Sequence, residues 1–434
     1  MNTGTPTRKP RIVIVGGGVA GLLLATRLGR SVGRRGDAEV ILIDRGPTHV
    51  WKPMLHTFAA GTWNVFQQQV QYLAHAHSNH FEYVPGSLKS VDTARGSIQL
   101  HPLDIGATRV AEERDVAFDE LILAHGSHAN DFNTPGVSQH CHFIDGQQQA
   151  EDFNTELRAT LARGYVTAQK IDIAIVGGGA TGVELAAELS RLMEIASAYG
   201  GVENVDHQMQ ITLLDSSHRI LSAFPDNVAQ SAATQLEALG VTVRTGIRVV
   251  AADPNGFILE DGSRVEARLK VWAAGICAMS VGVGQLEVNR SGQVVIGENL
   301  AAKGRRHIYA IGDCASLTPA GGDRPLPATA QVANQQAQHL AKHLPKFLRQ
   351  GTPVPAFRFQ DLGSLVSLSN YNAFGTLGRL GFFRGGFIQG KFAQLSHAYL
   401  YRRHQFLLHG PLRASALWVA ERANAMVQPK IRIS

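Results

Sequence analysis

Cysteine is scarce in this chain of 434 residues. The three cysteines, Cys141, Cys277 and Cys314, lie far apart in the sequence, and no two of them form a CxxC or CxxxxC pair. A disulfide relay needs closely spaced thiols, and a small secreted scaffold needs many cysteines. The sequence therefore argues against both classes, although distant cysteines can still meet in space.

Long apolar runs are also missing. No uninterrupted run reaches the roughly 18 apolar residues that span a bilayer. Arg8, Lys9 and Arg11 precede an apolar stretch, as basic residues do in a signal peptide, but the glycines at 16–18 break that stretch. We therefore expect neither a transmembrane helix nor a cleaved signal peptide.

Acidic residues are nearly absent from the C-terminal part of the chain. From residue 362 onward there are nine Lys/Arg and one acid, Glu421, so this part carries +8 and leaves −2 for the remainder. A basic tail favours an anionic partner, either nucleic acid or a membrane surface. Apolar residues such as Phe406 and Trp418 alternate with Arg402 and Arg413, which suits a helix lying in a membrane interface, and no nucleic-acid reader motif accompanies them. A basic but otherwise packed domain is the alternative.

A glycine-rich turn follows a predicted strand near the N-terminus. Residues 11–15 (RIVIV) are typical of a buried parallel strand, and GGGVAG leads from it into a predicted helix at 22–28. In this motif Gly16 permits a tight turn, Gly18 lets the backbone approach a pyrophosphate, and Gly21 allows the helix to pack closely on the strand. Asp44, which ends the next predicted strand, can accept hydrogen bonds from a ribose. This order predicts a dinucleotide site; a turn needed only for packing is the alternative.

The same pattern recurs in the middle of the chain. A predicted strand at 171–176 (IDIAIV) precedes a motif with the same glycine spacing, namely Gly177, Gly179 and Gly182. A helix follows, and then a strand that ends at Asp215. A carboxylate there favours NAD over NADP because a 2′-phosphate would meet a like charge, although His218 and Arg219 lie nearby. Residues 308–313 (IYAIGD) look like the first fold resuming, which indicates that the second fold is inserted into the first.

The chain closely resembles the type II NADH:quinone oxidoreductases, within the glutathione-reductase-like flavoprotein superfamily. The likeness runs over nearly the whole chain, and the glycine motifs are shared by the superfamily. Narrower matches are the segment HVWKPMLH (49–56), the helix AQVANQQA (330–337) and the strand GSLVSLSN (363–370). Other matching segments are LILAHGS (121–127), NDFNTPG (130–136), VWAAGI (271–276) and YAIGDCAS (309–316). His125 is a departure, because threonine or leucine is common there.

The fold class is therefore predicted as α/β, with two Rossmann-like dinucleotide-binding domains, the second inserted in the first, and a C-terminal membrane-associating region. The resemblance implies FAD in the first domain and NAD in the second. We predict an FAD-binding domain at 1–165 and 299–345, an NAD-binding domain at 166–298, and a basic membrane-associating region at 346–434. A helix is expected to begin at about Thr329, since small and apolar residues recur there at helical spacing.

The motifs and the resemblance together predict the residues that contact the two cofactors. They are Gly16, Gly18, Gly21, Asp44, Lys52, Ala124, Gly126, Asp313, Ala330, Gly177, Gly179, Gly182, Asp215, Ala274 and Gly275. The resemblance makes Asp313 a ligand of the flavin ribityl chain, for which an ordinary helix N-cap is the alternative. Lys52 would stabilise the anionic reduced flavin, or would be a surface lysine. No metal site is expected.

Three further residues are predicted to be catalytic. Gln331 and Gln335 are spaced i, i+4 and share one helix face. Spacing alone favours a solvated polar face, whereas the resemblance implies that the two amides donate to a quinone carbonyl. Glu184 lies near a helix N-terminus, where a negative charge is favoured for structural reasons alone. The resemblance makes it a contact to nicotinamide or part of a proton route to the quinone.

The implied activity is that of a respiratory NADH dehydrogenase that does not pump protons. NADH reduces FAD in a first step, and a membrane quinone takes both electrons in a second. We expect peripheral attachment to anionic lipid at the cytoplasmic face of the inner (plasma) membrane through the C-terminal region, and no nucleic-acid partner. A homodimer is left open.

Three alternatives remain open from the residues. A sulfide:quinone oxidoreductase needs reactive cysteines near the flavin, and Cys277 and Cys314 could meet, but it does not need the intact second motif with Asp215. A soluble NAD(P)H-dependent flavoprotein reductase of an iron–sulfur protein leaves the basic tail unexplained. A flavoprotein that signals through an NADH-triggered change of shape would differ in its turnover with quinone.

Overall fold

The computed structural model describes residues 8–62, 69–167, 169–198, 209–278, 282–368, 372–377, 387–389 and 401–427. The chain divides into two compact units. The first unit contains Met1–His49, Gln69–His128 and Cys277–Gln360. The second unit contains Val50–Gln68, Ala129–Ile276 and Asp361–Ser434.

A five-stranded parallel sheet forms the centre of the first unit. Its strands, in spatial order, are Ile308–Ala310, Glu120–Leu123, Arg11–Val15, Glu39–Asp44 and Glu82–Pro85. The residues from Ile12 to Val15 are all buried, as expected for a β-branched strand covered on both faces. Leu121 pairs with Ile308, so the chain leaves this sheet after its strand Glu120–Leu123 and returns to it much later with Ile308–Ala310. The predicted insertion is therefore confirmed.

Helices and smaller sheets complete the first unit. The helices are Val19–Leu28, which continues as a π-helical turn at Gly29–Gly33, Tyr72–Asn79 and Ala330–Gln350. The Thr329 side chain accepts a hydrogen bond of 3.3 Å from the N–H of Val332 and caps the last of these helices, which begins at Ala330, close to the predicted start. An antiparallel sheet contains Arg114–Ala117, Ser97–Leu100 and Leu88–Asp92. Three strand pairs are Thr48–His49 with Val70–Gln71, Leu103–Ile105 with Thr108–Ala111, and Val294–Val295 with Ala315–Ser316.

A four-stranded parallel sheet forms the centre of the second unit. Its strands, in spatial order, are Val241–Arg244, Met209–Leu214, Ile171–Val176 and Leu269–Trp272. Apolar residues of this sheet and of the helix Ala180–Ala198 belong to one buried cluster. Both predicted nucleotide-binding folds are thus present, which confirms the α/β class.

The remaining elements of the second unit surround this sheet. The helices are Leu55–Ala60, Val137–His140, Gln147–Thr167, Asp226–Ala238, 401–409 and Pro411–Val427, with a short 3-10 turn at Lys52–Met54. Two antiparallel sheets contain Val249–Asp253, Gly256–Leu259 and Arg264–Glu266, and Gly363–Leu368, Asn372–Leu377 and Phe387–Gln389. Where the chain passes between the units, Ser127–Ala129 pairs with Ile276–Ala278.

The unit boundaries differ from those of the predicted domains. Residues 129–165 were placed with the FAD domain, but Phe153 and Leu157 pack into the core of the second unit. The helix Ala330–Gln350 continues through Pro345, past the predicted boundary at 345. Val366 and Leu368 join the core of the second unit, so residues 361–434 are not a separate unit. The assignment of each domain to a cofactor stays a prediction.

The C-terminal region is only partly described. Residues 378–386, 390–400 and 428–434 lie outside the described residues. They contain Arg379, Phe382, Phe383, Arg384 and Lys391, which belong to the predicted membrane-associating region. No helix in the described part of the chain has both the length and the hydrophobicity of a membrane span.

Candidate functional site

The first glycine turn has the geometry that its spacing predicts. Gly16 has φ +103°, and a Cβ there would lie 2.4 Å from the carbonyl oxygen of Ala124. A Cβ on Gly21 would lie 1.8 Å from the carbonyl oxygen of Gly16, so the helix meets the turn backbone directly. A Cβ on Gly18 would meet no protein atom within 4 Å. The turn thus leaves open space at the position where the motif predicts a pyrophosphate.

The peptide groups around Gly17 are held by three side chains. Its N–H donates to a carboxylate oxygen of Asp44 at 2.6 Å. Its carbonyl oxygen accepts from the Tyr72 hydroxyl at 2.8 Å and lies 2.9 Å from Nδ1 of His49. Burial raises the pKa of the Asp44 carboxyl, and the amide hydrogen bonds from Gly17 and Gly46 oppose that shift. Sequence reasoning found Asp44 but missed His49 and Tyr72, because no spacing links them to the motif.

Ala124, Gly126 and Asp313 lie at the carboxyl ends of two neighbouring strands of the same sheet. The N–H of Ala124 donates to the carbonyl of Val15 at 2.8 Å, and Gly126 has φ +74° with open space beside it. A carboxylate oxygen of Asp313 accepts from the Ser127 hydroxyl at 2.8 Å. The structure therefore brings these predicted flavin residues together with the first glycine turn in one unit.

A buried glutamine orients the turn that carries Asp313. Gln336 is 2% exposed on the helix Ala330–Gln350, and its side-chain oxygen accepts from the N–H of Gly312 at 2.7 Å. Gly312 has φ +73°, a conformation that favours glycine. Ala330 is the first residue of the same helix. Sequence reasoning missed Gln336, although it follows the predicted Gln335 directly.

The second glycine turn repeats the first in detail. Gly177 has φ +116°, and a Cβ there would lie 2.6 Å from the backbone of Ala273. A Cβ on Gly182 would lie 2.0 Å from the carbonyl oxygen of Gly177, whereas one on Gly179 would meet nothing within 4 Å. Ala274 and Gly275 follow the neighbouring strand, and Gly275 has φ +64°. The predicted NAD residues are thus together in the second unit.

Asp215 takes the same place in the second turn that Asp44 takes in the first. Its carboxylate accepts from the N–H groups of Gly178 at 2.5 Å and Ser217 at 2.7 Å. Arg219, the cation near Asp215 that could favour NADP, contacts other protein groups instead. Its guanidinium donates to the carbonyl oxygens of Leu221, Ser222 and Phe224, and it pairs with Asp226 at 3.1 Å. These contacts favour NAD, since the carboxylate is in place and the nearby cation is already paired.

Both turns fit the cofactors that the sequence implies. In each turn, the first and third glycines of the motif lie so close to neighbouring backbone that a Cβ would clash, and the middle glycine faces open space. A carboxylate accepts a hydrogen bond from the N–H of the residue between the first and middle glycines. The N-terminal turn of a helix adds free N–H groups and the positive end of its dipole. A dinucleotide pyrophosphate matches this donor set.

Lys52 belongs to the second unit rather than to the unit with the first glycine turn. It begins the 3-10 turn Lys52–Met54, and its Nζ lies 4.0 Å from a carboxylate oxygen of Asp145. Its predicted contact with the flavin stays a prediction.

Gln331 and Gln335 lie on the helix Ala330–Gln350 and are both partly exposed. The Gln335 amide donates to the carbonyl of Gln360 at 2.8 Å and accepts from the N–H of Gln360 at 3.0 Å. This pair of bonds fastens the segment after the helix, a role that sequence reasoning did not predict. The proposed quinone contact of both glutamines remains a prediction.

Glu184 is buried in the second unit, on the helix Ala180–Ala198. One carboxyl oxygen accepts from the N–H of Ser367 at 3.1 Å, and the other lies 3.4 Å from Nδ1 of His56. Burial raises the pKa of Glu184 to about 8; the Ser367 hydrogen bond lowers it, and the nearby Glu188 raises it. Burial therefore favours the protonated form of the Glu184 carboxyl.

The three cysteines all lie in the described part of the chain, and none of them forms a disulfide. Burial raises the pKa of the Cys314 thiol to about 12, and its sulfur lies 3.4 Å and 3.3 Å from the carbonyl oxygens of Leu123 and Ile311. Burial also raises the pKa of Cys141 to about 12. Sγ of Cys277 lies 3.2 Å from Nε2 of His128. The reactive thiolate is disfavoured at Cys141 and Cys314.

Comparison with known proteins identifies the family. The family model described as pyridine nucleotide-disulphide oxidoreductase matches residues 10–337. A type II NADH:quinone oxidoreductase from Haemophilus influenzae is 36% identical to this chain, with 97% of this chain and 99% of the relative covered. A type II NADH:quinone oxidoreductase from Staphylococcus saprophyticus is 28% identical over 93% of this chain and 96% of its own.

Solved structures show the same fold. NDH2 from Plasmodium falciparum in complex with NADH is similar with a TM-score of 0.82 at 18% identity, over 98% of this chain and 100% of that chain. The sulfide:quinone oxidoreductase from Aquifex aeolicus is similar with a TM-score of 0.73 at 16% identity, over 98% of this chain and 96% of that chain. At such identities the likeness establishes the fold alone, whereas the matches in sequence settle the family. The chain belongs to the type II NADH:quinone oxidoreductases, within the pyridine nucleotide-disulphide oxidoreductases.

Proposed function

We propose that this chain is an FAD-dependent NADH:quinone oxidoreductase that transfers electrons without pumping protons. The observation that carries the proposal is the presence of two complete nucleotide-binding turns in one chain, each with an open middle glycine and a carboxylate on the turn amide. One turn holds the resident flavin nucleotide and the other admits a diffusing nicotinamide nucleotide. Membership of the type II NADH:quinone oxidoreductases indicates that the electron acceptor is a quinone.

The residues of the first unit hold FAD. The turn at Gly18 admits the pyrophosphate, Asp44 takes the ribose, and Asp313 takes the ribityl chain. Gln336 fixes the backbone ahead of Asp313 through Gly312. FAD, when bound, would supply the redox chemistry by accepting a hydride from NADH and passing two electrons to the quinone, either singly or together.

The residues of the second unit hold NADH. Gly179 leaves room for the pyrophosphate, and Asp215 accepts from the ribose diol while it repels a 2′-phosphate. The paired Arg219 leaves Asp215 as the selecting group. We therefore propose NADH rather than NADPH as the donor.

On the quinone side we propose roles for three residues. Gln331 donates a hydrogen bond to a quinone carbonyl. Gln335 does so only if it exchanges its two bonds to Gln360 for the substrate, so Gln331 is the stronger of the two candidates. Glu184 supplies a proton, because burial favours the protonated form of its carboxyl.

We further propose peripheral binding at the cytoplasmic face of the plasma membrane. On the helix Pro411–Val427 the large apolar side chains of Leu412, Trp418 and Val419 are 86%, 48% and 64% exposed. The exposed Arg413 and Arg422 lie on the same helix, a composition that suits an anionic lipid surface. Arg402 is less available, since it pairs with Glu421 at 2.5 Å. A homodimer stays a prediction.

Sulfide:quinone oxidoreduction is the alternative that the fold allows. The high pKa of the buried Cys314 thiol disfavours the thiolate that sulfide chemistry needs. The test is a steady-state assay with NADH and a short-chain quinone, beside an assay with sulfide and the same quinone. We expect turnover with NADH only. Robust quinone reduction by sulfide, with none by NADH, would replace the proposal by its rival.

A further inference from the structure

Two buried carboxyl groups lie one helical turn apart in the second unit. Glu184 and Glu188 are 8% and 4% exposed on the helix Ala180–Ala198. Residues four apart share one helix face, with about 5–6 Å between their Cβ atoms. The helix dipole gives no reason for an acid at Glu188, because its effect fades within the first turn. Two like charges at this spacing in a buried site repel each other, so ionising both carboxyls together is costly.

In the described part of the chain, groups from three elements face Glu184. The helix Leu55–Ala60 contributes His56, whose Nδ1 lies 3.4 Å from the carboxyl. The strand Gly363–Leu368 contributes the N–H of Ser367 and carries no titratable side chain. The helix of Glu184 itself contributes Glu188, the charged neighbour that raises the pKa of Glu184 further.

Thr62 connects Glu188 to the partly exposed end of this cluster. Its hydroxyl lies 2.7 Å from a carboxyl oxygen of Glu188 and 3.4 Å from the carbonyl oxygen of Thr57. When Glu188 is ionised, the hydroxyl donates to it. When Glu188 is protonated, the carboxyl donates to the hydroxyl, which then turns its own hydrogen to Thr57. Thr62 thus satisfies both protonation states of Glu188, and it is itself only half-buried.

The overall reaction requires such a connection to water. NADH, one proton and a quinone give NAD⁺ and a quinol, so each turnover takes up one proton from solvent. If Glu184 donates a proton to the reduced quinone, its buried carboxylate must be reloaded before the next turnover. The Glu184 side chain is only 10% exposed, so a hydrogen-bonded route to the surface would speed its reloading.

We propose that Thr62 and Glu188 form a proton-loading path that returns a proton from solvent to Glu184 once per turnover. In each cycle Thr62 passes a proton to Glu188 and takes one from water, and Glu188 passes its proton to the ionised Glu184. No electrons move along this path. Glu188 and Thr62 are positioning residues that act through Glu184. The inference rests on the proposed function.

The test compares variants of the full-length FAD-loaded enzyme in two half-reactions measured by stopped flow. The variants are Glu188→Gln, which keeps the size and the hydrogen bond to Thr62, Thr62→Val and the conservative Thr62→Ser. Glu194→Gln, at an exposed position of the same helix, is the matched control. We expect NADH to reduce the flavin in every variant within about twofold of the parent rate.

Reoxidation by a short-chain quinone separates the variants. We expect Glu188→Gln and Thr62→Val to slow it by about tenfold or more, within the range that positioned proton transfer contributes. The solvent deuterium isotope effect on this step should rise in both, and Thr62→Ser should restore the parent behaviour. The Glu194→Gln control should match the parent.

A spectroscopic readout is independent of turnover. The infrared C=O band of protonated Glu184, assigned by its loss in Glu184→Gln, should titrate at a lower pH in Glu188→Gln, because a like charge has been removed. Parent-like reoxidation, isotope effect and band titration in Glu188→Gln and Thr62→Val would overturn the path while leaving the oxidoreductase function intact. Failure of quinone to reoxidise the parent enzyme would instead refute the proposed function.

Discussion

A carboxylate oxygen of Asp215 accepts a hydrogen bond of 2.5 Å from the N–H of Gly178, between the two glycines that open the second turn. This contact fixes the acid at the end of its strand, beside the open space at Gly179. We propose that this carboxylate, held by the backbone, selects between the two nicotinamide nucleotides.

We predict that the parent enzyme prefers NADH and that Asp215→Ser lowers kcat/KM for NADH by about 10–100-fold, because a hydrogen bond to a charged group contributes about 1.5–3 kcal/mol. Addition of Ser217→Arg should then improve the use of NADPH. Asp261→Ser is the control, since Asp261 is exposed and lies in the turn before the strand Arg264–Glu266. Comparable kcat/KM values for NADH and NADPH in the parent would remove the basis of this assignment.

The open and crowded glycines of the second turn predict opposite outcomes for the same substitution. Gly179→Ala adds a methyl group in open space, so folding and FAD content should be normal while KM for NADH rises by about tenfold or more. Gly182→Ala places its methyl group against the Gly177 carbonyl, so the melting temperature should fall. Thermal unfolding and NADH titration of both variants test this pair. Normal NADH affinity in Gly179→Ala would contradict the placement of the pyrophosphate.

Thiol chemistry is not needed for electron transfer in this account. We predict that Cys277→Ala and Cys314→Ala, singly or together, retain most of the NADH:quinone activity at equal FAD content. Cys314→Ala should cost some stability, because Cys314 is fully buried. The measurements are steady-state turnover and thermal unfolding. A loss of activity by several orders of magnitude, with FAD retained, would support the sulfide alternative.

The exposed apolar side chains of the helix Pro411–Val427 predict how the protein binds membranes. The double variant Leu412→Glu with Trp418→Glu should bind anionic liposomes about 100-fold more weakly, since a buried large apolar side chain contributes about 1.5–3 kcal/mol. Ser415→Glu, at an exposed polar position of the same helix, is the control for added negative charge. Moderate salt should weaken binding by the parent without abolishing it. Co-sedimentation that is equal for the double variant and the parent would exclude this helix as the anchor.

The parts of the fold predicted from sequence are those encoded locally. The strand Arg11–Val15, its glycine turn and Asp44 follow one another within a short stretch, so each predicts the next. The contacts that sequence could not reveal join distant residues. Tyr72 and Gly17 are 55 positions apart, and Thr62 and Glu188 are 126 apart, with no periodic pattern connecting them.

Local spacing can also lead attention away from a residue that holds the site. The i, i+4 pair of glutamines drew attention to Gln335, whose amide is bonded to the backbone of Gln360. The adjacent Gln336, on the buried face of the same helix, holds the turn before Asp313. Whether Gln335 or Gln336 faces the turn before Asp313 depends on how the helix is rotated about its axis relative to the sheet. The residue types alone do not determine that rotation.

The central claim is that one chain accepts electrons from NADH and delivers them to a quinone through bound FAD. Stopped-flow spectroscopy tests it most directly, with anaerobic mixing of the purified yellow enzyme first with NADH and then with a short-chain quinone. The account predicts rapid bleaching of the flavin by NADH and full recovery of its absorbance on addition of quinone, at rates that support steady-state turnover. Absence of bleaching by NADH, or a bleached flavin that quinone does not reoxidise, would contradict it.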